Sequence, residues 1–98
     1  MSSPRRTPQF RRDLSNAWLY IAERSVERAD AFVEAVGETI ELLIASPGIG
    51  RPRPEFDEPG IRSFRTAARY VIYYVPQEDG GIELLRLYHS SRDPNGVF

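Results

Sequence analysis

The chain has no cysteine and no lysine, and it carries one histidine, one tryptophan and one methionine in 98 residues. Without cysteine, neither a disulfide framework nor a thiolate metal site can form. One histidine is too few for the usual zinc sites, so neither metal nor cofactor is expected. The longest apolar runs are only a few residues, far short of a membrane span. The basic N-terminus MSSPRRTPQF is not followed by an apolar run, so no secretory signal is read and the expected compartment is the cytoplasm. A chain of this size makes one domain, residues 1–98, burying about two-thirds of its unfolded surface in a single ordinary core.

The net charge of −1 conceals an uneven distribution. Residues 1–22 hold four arginines against Asp13, residues 23–60 hold nine carboxylates against four arginines, and residues 61–98 hold five arginines against four carboxylates. All thirteen basic residues are arginine. Coding bias explains this on open surfaces, whereas forked guanidinium groups suit the recognition of carboxylate or phosphate. A near-neutral chain is a poor non-specific nucleic-acid binder, because that affinity comes from many phosphate contacts.

Apolar residues at Leu14, Ala17, Trp18, Ile21 and Ala22 follow the spacing of one helical stripe. Ser25 stands where an N-cap belongs, with Glu27 in the first turn beyond it. A second stripe runs Ala29, Phe32, Val33, Val36, Ile40, Leu43 and Ile44, opposite Glu27, Asp30, Glu34, Glu38 and Glu41, which read as a solvated face. Gly37 within it costs about 1 kcal/mol relative to alanine, which predicts close packing against the first helix. Trp18 is expected in the core between the hairpin and a sheet. With so short a connection the helices fold back as an antiparallel hairpin over about residues 11–46. Ser46 to Pro54, SPGIGRPRP, ends the second helix and opens a connecting loop over 47–60.

From residue 61 the period changes. IRSFRTA, YVIYYVPQ and GIELLRLYH are rich in β-branched and aromatic residues and predict an antiparallel meander over about 61–92. Glu78 to Gly81 reads as its tight turn. A short strand near Pro4 to Thr7 would bring the sheet from three strands to four. The expected fold is α+β in the order (β)ααβββ, a helical hairpin on one face of the sheet. Strict alternation puts Tyr70, Ile72 and Tyr74 on one face and Val71, Tyr73 and Val75 on the other. It likewise groups Ile82, Leu84, Arg86 and Tyr88 against Glu83, Leu85, Leu87 and His89. Both faces are largely apolar, and two helices cover only one. The other face is expected to meet a dimer mate or a partner protein, with a folded-over 45–60 loop as the alternative.

The stretch YHSSRD, Tyr88 to Asp93, contains the lone histidine. It reads either as a nucleolytic site, with His89 as base and Arg92 on a phosphate, or as a structural strand end. Adjacent strand residues project to opposite faces, so Tyr88 and His89 do not easily serve one substrate, which favours the structural reading. His89 then makes a hydrogen bond at the edge of the core, and Asp93 accepts from Arg92, Arg86 or backbone amides.

Together these residues resemble the ParE/RelE superfamily of type II toxins, over Thr7 to Asp93. The resemblance rests on Asp13-Leu14, Tyr20-Ile21-Ala22 with Ser25, Ala29 with Phe32, Pro47, Gly50-Arg51, Arg62 with Phe64, Tyr70 to Tyr74, and Arg86 with His89-x-x-Arg92-Asp93. The pairing of Pro47-x-x-Gly50-Arg51 with a terminal His-x-x-Arg-Asp is similar to the ParE branch. That resemblance implies a small cytoplasmic toxin that poisons DNA gyrase. A ParD-like antitoxin would neutralise it by direct binding, in a heterodimer or a higher hetero-oligomer.

RelE-type members instead cut messenger RNA on the ribosome. Metal-free RNA cleavage needs a base, an acid and cations for the phosphate. This chain has no lysine, a slightly negative charge and no basic C-terminal helix. A binding inhibitor without catalytic residues is therefore the preferred reading. A RelE-type ribonuclease, or a non-toxic member that only binds antitoxin, is the alternative. Arg62, Arg65 and Arg69, with Tyr73 and Arg86 from the sheet, are the candidates for contacting antitoxin or target. His89, Arg92 and Asp93 are assigned to the strand end. No direct DNA binding is expected of the toxin alone.

Overall fold

The computed structural model describes residues 4–98. Strand β1 (Arg5–Arg6) precedes helices α1 (Pro8–Ala22) and α2 (Val26–Ala45), and strands β2 (Arg51–Pro52), β3 (Arg62–Arg65), β4 (Tyr70–Pro76) and β5 (Ile82–His89) follow. Among the described residues the sheet has five strands in the order β1-β5-β4-β3-β2, not three or four. It is mixed, because β1 runs parallel to β5 while the other pairings are antiparallel. Among the described residues no helix is long and apolar enough to cross a membrane.

Helix α1 starts three residues earlier than its apolar stripe suggests. Thr7 accepts from the Phe10 amide at 3.0 Å and Pro8 occupies the first turn, where a missing N–H costs nothing. The early start carries Phe10 into the core, fully buried. Ser25 caps α2 as expected, accepting from the Arg28 amide. Two other expectations fail. A Cβ on Gly37 would meet nothing within 4 Å, so this glycine does not mark close helix packing. Trp18 is half-buried outside the core, its indole N–H donating to Asp30 Oδ1 at 2.9 Å, so it ties the two helices together along their outer side.

Helix-side packing joins Phe10, Phe32, Val36, Ile40 and Leu43 to Ile72, Tyr74, Ile82, Leu84 and Leu87. Leu87 belongs there because β5 does not alternate strictly. Tyr73 pairs with Arg86 and Tyr74 with Leu84, so Leu85 is an extra residue and the faces exchange beyond it. Tyr88 consequently joins Leu85 on the opposite face, with Ile61, Val71, Tyr73 and Val75. That second face is covered from within the chain. Phe56 of the connecting loop packs on Tyr73 at 5.8 Å between centroids, and Phe98 packs on Phe56 at 4.9 Å. Val97 is buried beneath them. The expectation of an external cover is corrected over this part of the face: the connecting loop and the C-terminal residues cover Tyr73 and its neighbours, while the β2–β3 end stays open.

Candidate functional site

Where β1 ends, the edge of β5 would be open. Thr7 and Asp13 close it. The Thr7 hydroxyl donates to the Leu85 carbonyl at 2.8 Å, and the Leu87 amide donates to Asp13 Oδ2 at 3.0 Å. The same carboxylate accepts from Arg86 Nε at 2.7 Å and Nη2 at 3.2 Å. Arg86 also donates to the Val97 carbonyl, so one guanidinium joins α1, the bulge of β5 and the C-terminal residues. The pair is largely enclosed, its side chains only 18% and 9% exposed.

Beyond this pair, a cleft of about 450 Å³ opens between α1 and the end of β5. Asn16, Tyr20, Tyr70, His89 and Arg92 are among the residues that line it. His89 Nδ1 lies 2.6 Å from the Ser91 hydroxyl and accepts from the Ser91 amide at 3.1 Å, while its ring stands edge-on to Tyr70 at 5.0 Å. Tyr88 packs on the other face and its hydroxyl donates to the Asp93 carbonyl. Burial pushes the Tyr70 phenol above its ordinary pKa, against the opposing charge of Arg92. A phenol so placed stays protonated near neutrality and is no base. Asp93 accepts from the Asn95 amide and caps the last turn; Arg86 pairs with Asp13 instead. Among the described residues no group of three or more His, Asp or Glu side chains could hold a metal ion.

A second constellation explains the Pro47-x-x-Gly50 spacing. The Tyr74 hydroxyl donates to the Pro47 carbonyl at 2.7 Å and accepts from the Gly50 amide at 2.9 Å. A Cβ at position 50 would run into that hydroxyl, so only glycine fits. Arg62 closes the arrangement, donating to the Gly48 carbonyl at 3.1 Å and the Gly50 carbonyl at 2.7 Å. Burial raises the Tyr74 pKa, partly offset by the Gly50 amide and the Arg62 charge.

The five contact candidates therefore differ in placement. Arg62 holds the loop, Arg86 is paired with Asp13, and Tyr73 is buried beneath Phe56 and Phe98. Arg65 and Arg69 are exposed. Arg69 sits in the turn between β3 and β4, where Ala68 has φ 54° and Arg69 φ 63°. Two successive left-handed residues make the turn that suits a right-twisted hairpin, but asparagine and glycine ordinarily occupy it. L-residues with a side chain pay about 1–2 kcal/mol each there.

The sequence matches the family described as the ParE toxin of the type II toxin-antitoxin system ParDE, over residues 5–94. The chain is a member of the ParE toxin family. It is 30% identical over 80 residues to Toxin ParE1 of Caulobacter vibrioides, covering 81% of this chain and 79% of that protein. Its fold is similar to a chain of the chromosomal ParDE system from P. aeruginosa, with a TM-score of 0.71 at 22% identity, covering 91% of this chain and 96% of that one.

In this ParE chain, the residues that carry the resemblance thus include structural ones. Asp13 was legible only as part of a helix opening, because its partners Arg86 and Leu87 lie more than seventy residues away. Arg51 enters the sequence reading only through the Gly50-Arg51 match, and Arg53 only as part of the connecting loop. Their signal was the run Arg-Pro-Arg-Pro, whose prolines favour extended backbone at a sheet edge.

Proposed function

We propose that this ParE-family chain inhibits DNA gyrase, acts in the cytoplasm without catalysing a reaction, and is neutralised by direct binding of a ParD-like antitoxin. One observation supports the non-catalytic reading above all. The polar groups at the end of β5 are committed to each other: His89 to Ser91, Tyr88 to Asp93, and Arg86 to Asp13. A ribonuclease site needs a base and an acid aimed at one substrate, with cations around its phosphate. Here Tyr88 and His89 both border the cleft, but Tyr88 packs with the residues of the opposite sheet face, and Tyr70 beside His89 is held protonated. Family membership carries the antitoxin assignment, and the resemblance to the ParE branch carries gyrase as the target.

The experiment is induction in cells paired with a supercoiling assay. Filamentation and a DNA-damage response with continuing translation are expected, and purified toxin should block supercoiling by gyrase. Early arrest of translation with cut messenger RNA would replace this reading by the RelE one.

A further inference from the structure

A second depression, of about 400 Å³, lies on the sheet face away from the helices, over β2 and β3. Ser63 is its middle. Arg51 pairs with Ser63 across the strands, and Arg65 stands two residues further along β3, beside Val71. Such diagonal neighbours lie about 7–8 Å apart. Arg53 reaches the same place, donating to Ser63 Oγ at 3.1 Å, but its charge is answered by Glu55 at 2.8 Å. Arg51 and Arg65 are exposed, and among the described residues neither enters an ion pair. Among the described residues no carboxylate lines the depression, and Ile49, 44% exposed, forms part of its wall.

Two like charges at neighbouring positions on one sheet face repel each other; Arg51 feels Glu55, which answers Arg53 first, and among the described residues no carboxylate stands within ion-pair distance of Arg51 or Arg65. Their guanidinium forks suit carboxylates or phosphates. Nucleic acid fits poorly, since the chain is net −1 with nine carboxylates in residues 23–60, and duplex or strand binding draws on many cations. An extended peptide fits well. Its alternate side chains share a face and stand about 6.6–6.8 Å apart, close to the separation of the two arginines.

We infer that this groove docks an extended acidic segment of the antitoxin. Carboxylates at alternate positions meet Arg51 and Arg65, and an apolar side chain at the next position on that face rests on Ile49. This rests on the antitoxin reading above. Because rim charges act on association through the field they project, the contact strengthens as salt falls.

The test titrates a cognate ParD-like antitoxin against the full toxin at low and moderate salt. Arg51→Glu with Arg65→Glu should raise the low-salt Kd at least about tenfold and flatten its salt dependence. Arg24→Glu with Arg28→Glu, the same charge change on the helical hairpin, should shift it far less. Should the glutamate pair not fold, Arg51→Gln with Arg65→Gln carries the test with a smaller expected loss. A Kd unchanged within twofold, or equal losses from the two charge-reversed pairs, overturns the inference. So does a single-stranded RNA oligonucleotide that binds through Arg51 and Arg65 while the antitoxin does not compete. If the unmodified toxin binds no antitoxin at all, the antitoxin reading itself falls.

Discussion

Asp13 and Arg86, 73 residues apart in sequence, meet through two hydrogen bonds of 2.7 and 3.2 Å, and the same carboxylate takes the Leu87 amide. One side chain thus fastens α1 to the strand that ends the sheet. The bulge at Leu85 turns Arg86 and Leu87 into the register that Asp13 can reach.

Removing that carboxylate leaves an enclosed guanidinium unanswered and an amide unpaired. Asp13→Ala should therefore cost about 3 kcal/mol or more. Asp13→Asn keeps an acceptor for Leu87 and should cost less. Urea unfolding of the antitoxin-bound proteins measures both, and an unshifted midpoint for the alanine variant would show that the pair is dispensable.

Tyr74 makes a prediction with a pH axis. Its pKa is raised by burial in the folded chain, so the folded state holds the phenolic proton more tightly than the unfolded chain does. The associated stability is complete below the unfolded value, about 10, and is lost as pH climbs through the folded value. Tyr74→Phe should lower stability near neutrality by about 1–3 kcal/mol, since the Gly50 amide and Pro47 carbonyl lose their partner. It should also flatten the alkaline decline. Chemical unfolding from pH 8 upward reads both effects, and an equal alkaline slope in the two proteins would contradict the assignment.

The left-handed pair Ala68–Arg69 predicts a gain. Ala68→Asn with Arg69→Gly supplies the residues this turn favours and should stabilise the fold by about 1–2 kcal/mol. If Arg69 is also a partner contact, the same variant binds antitoxin or gyrase less well despite melting higher. Thermal unfolding beside a binding titration separates the two, and a lower melting temperature would refute the strain argument.

Local signals carried most of the fold. The Ser25 cap, the helical stripes apart from Trp18 and Val33, and the turn at Glu78 to Gly81 each depend on neighbours within a few residues, and each appears where expected. The failures are long-range. Strict alternation misplaced Leu87, because a bulge depends on the partner strand. The cover over Tyr73 comes from Phe56 and Phe98, whose aromatic rings in loop and terminus carry no period. Phe10 was missed because Thr7 and Pro8 start the helix before its apolar stripe is evident. For the candidate site the limit is the same: Arg51 and Arg65 become neighbours only through the pairing of β2 with β3.

His89 gives the sharpest separation of structure from chemistry. Its Nδ1 accepts from the Ser91 amide, and glutamine can offer an acceptor there as well. His89→Gln should therefore remain toxic on induction. His89→Ala also loses the edge-on contact with Tyr70, worth about 0.5–1.5 kcal/mol. For a domain of this size each kcal/mol shifts melting by about 4–8 °C, so a measurable fall is expected. A general base behaves otherwise, since its removal costs about 10²–10⁴-fold in rate whatever the change in stability. Growth arrest is therefore scored beside thermal unfolding of the antitoxin-bound variants. A glutamine variant that folds, binds antitoxin normally and is harmless would move His89 from the scaffold to the site of action.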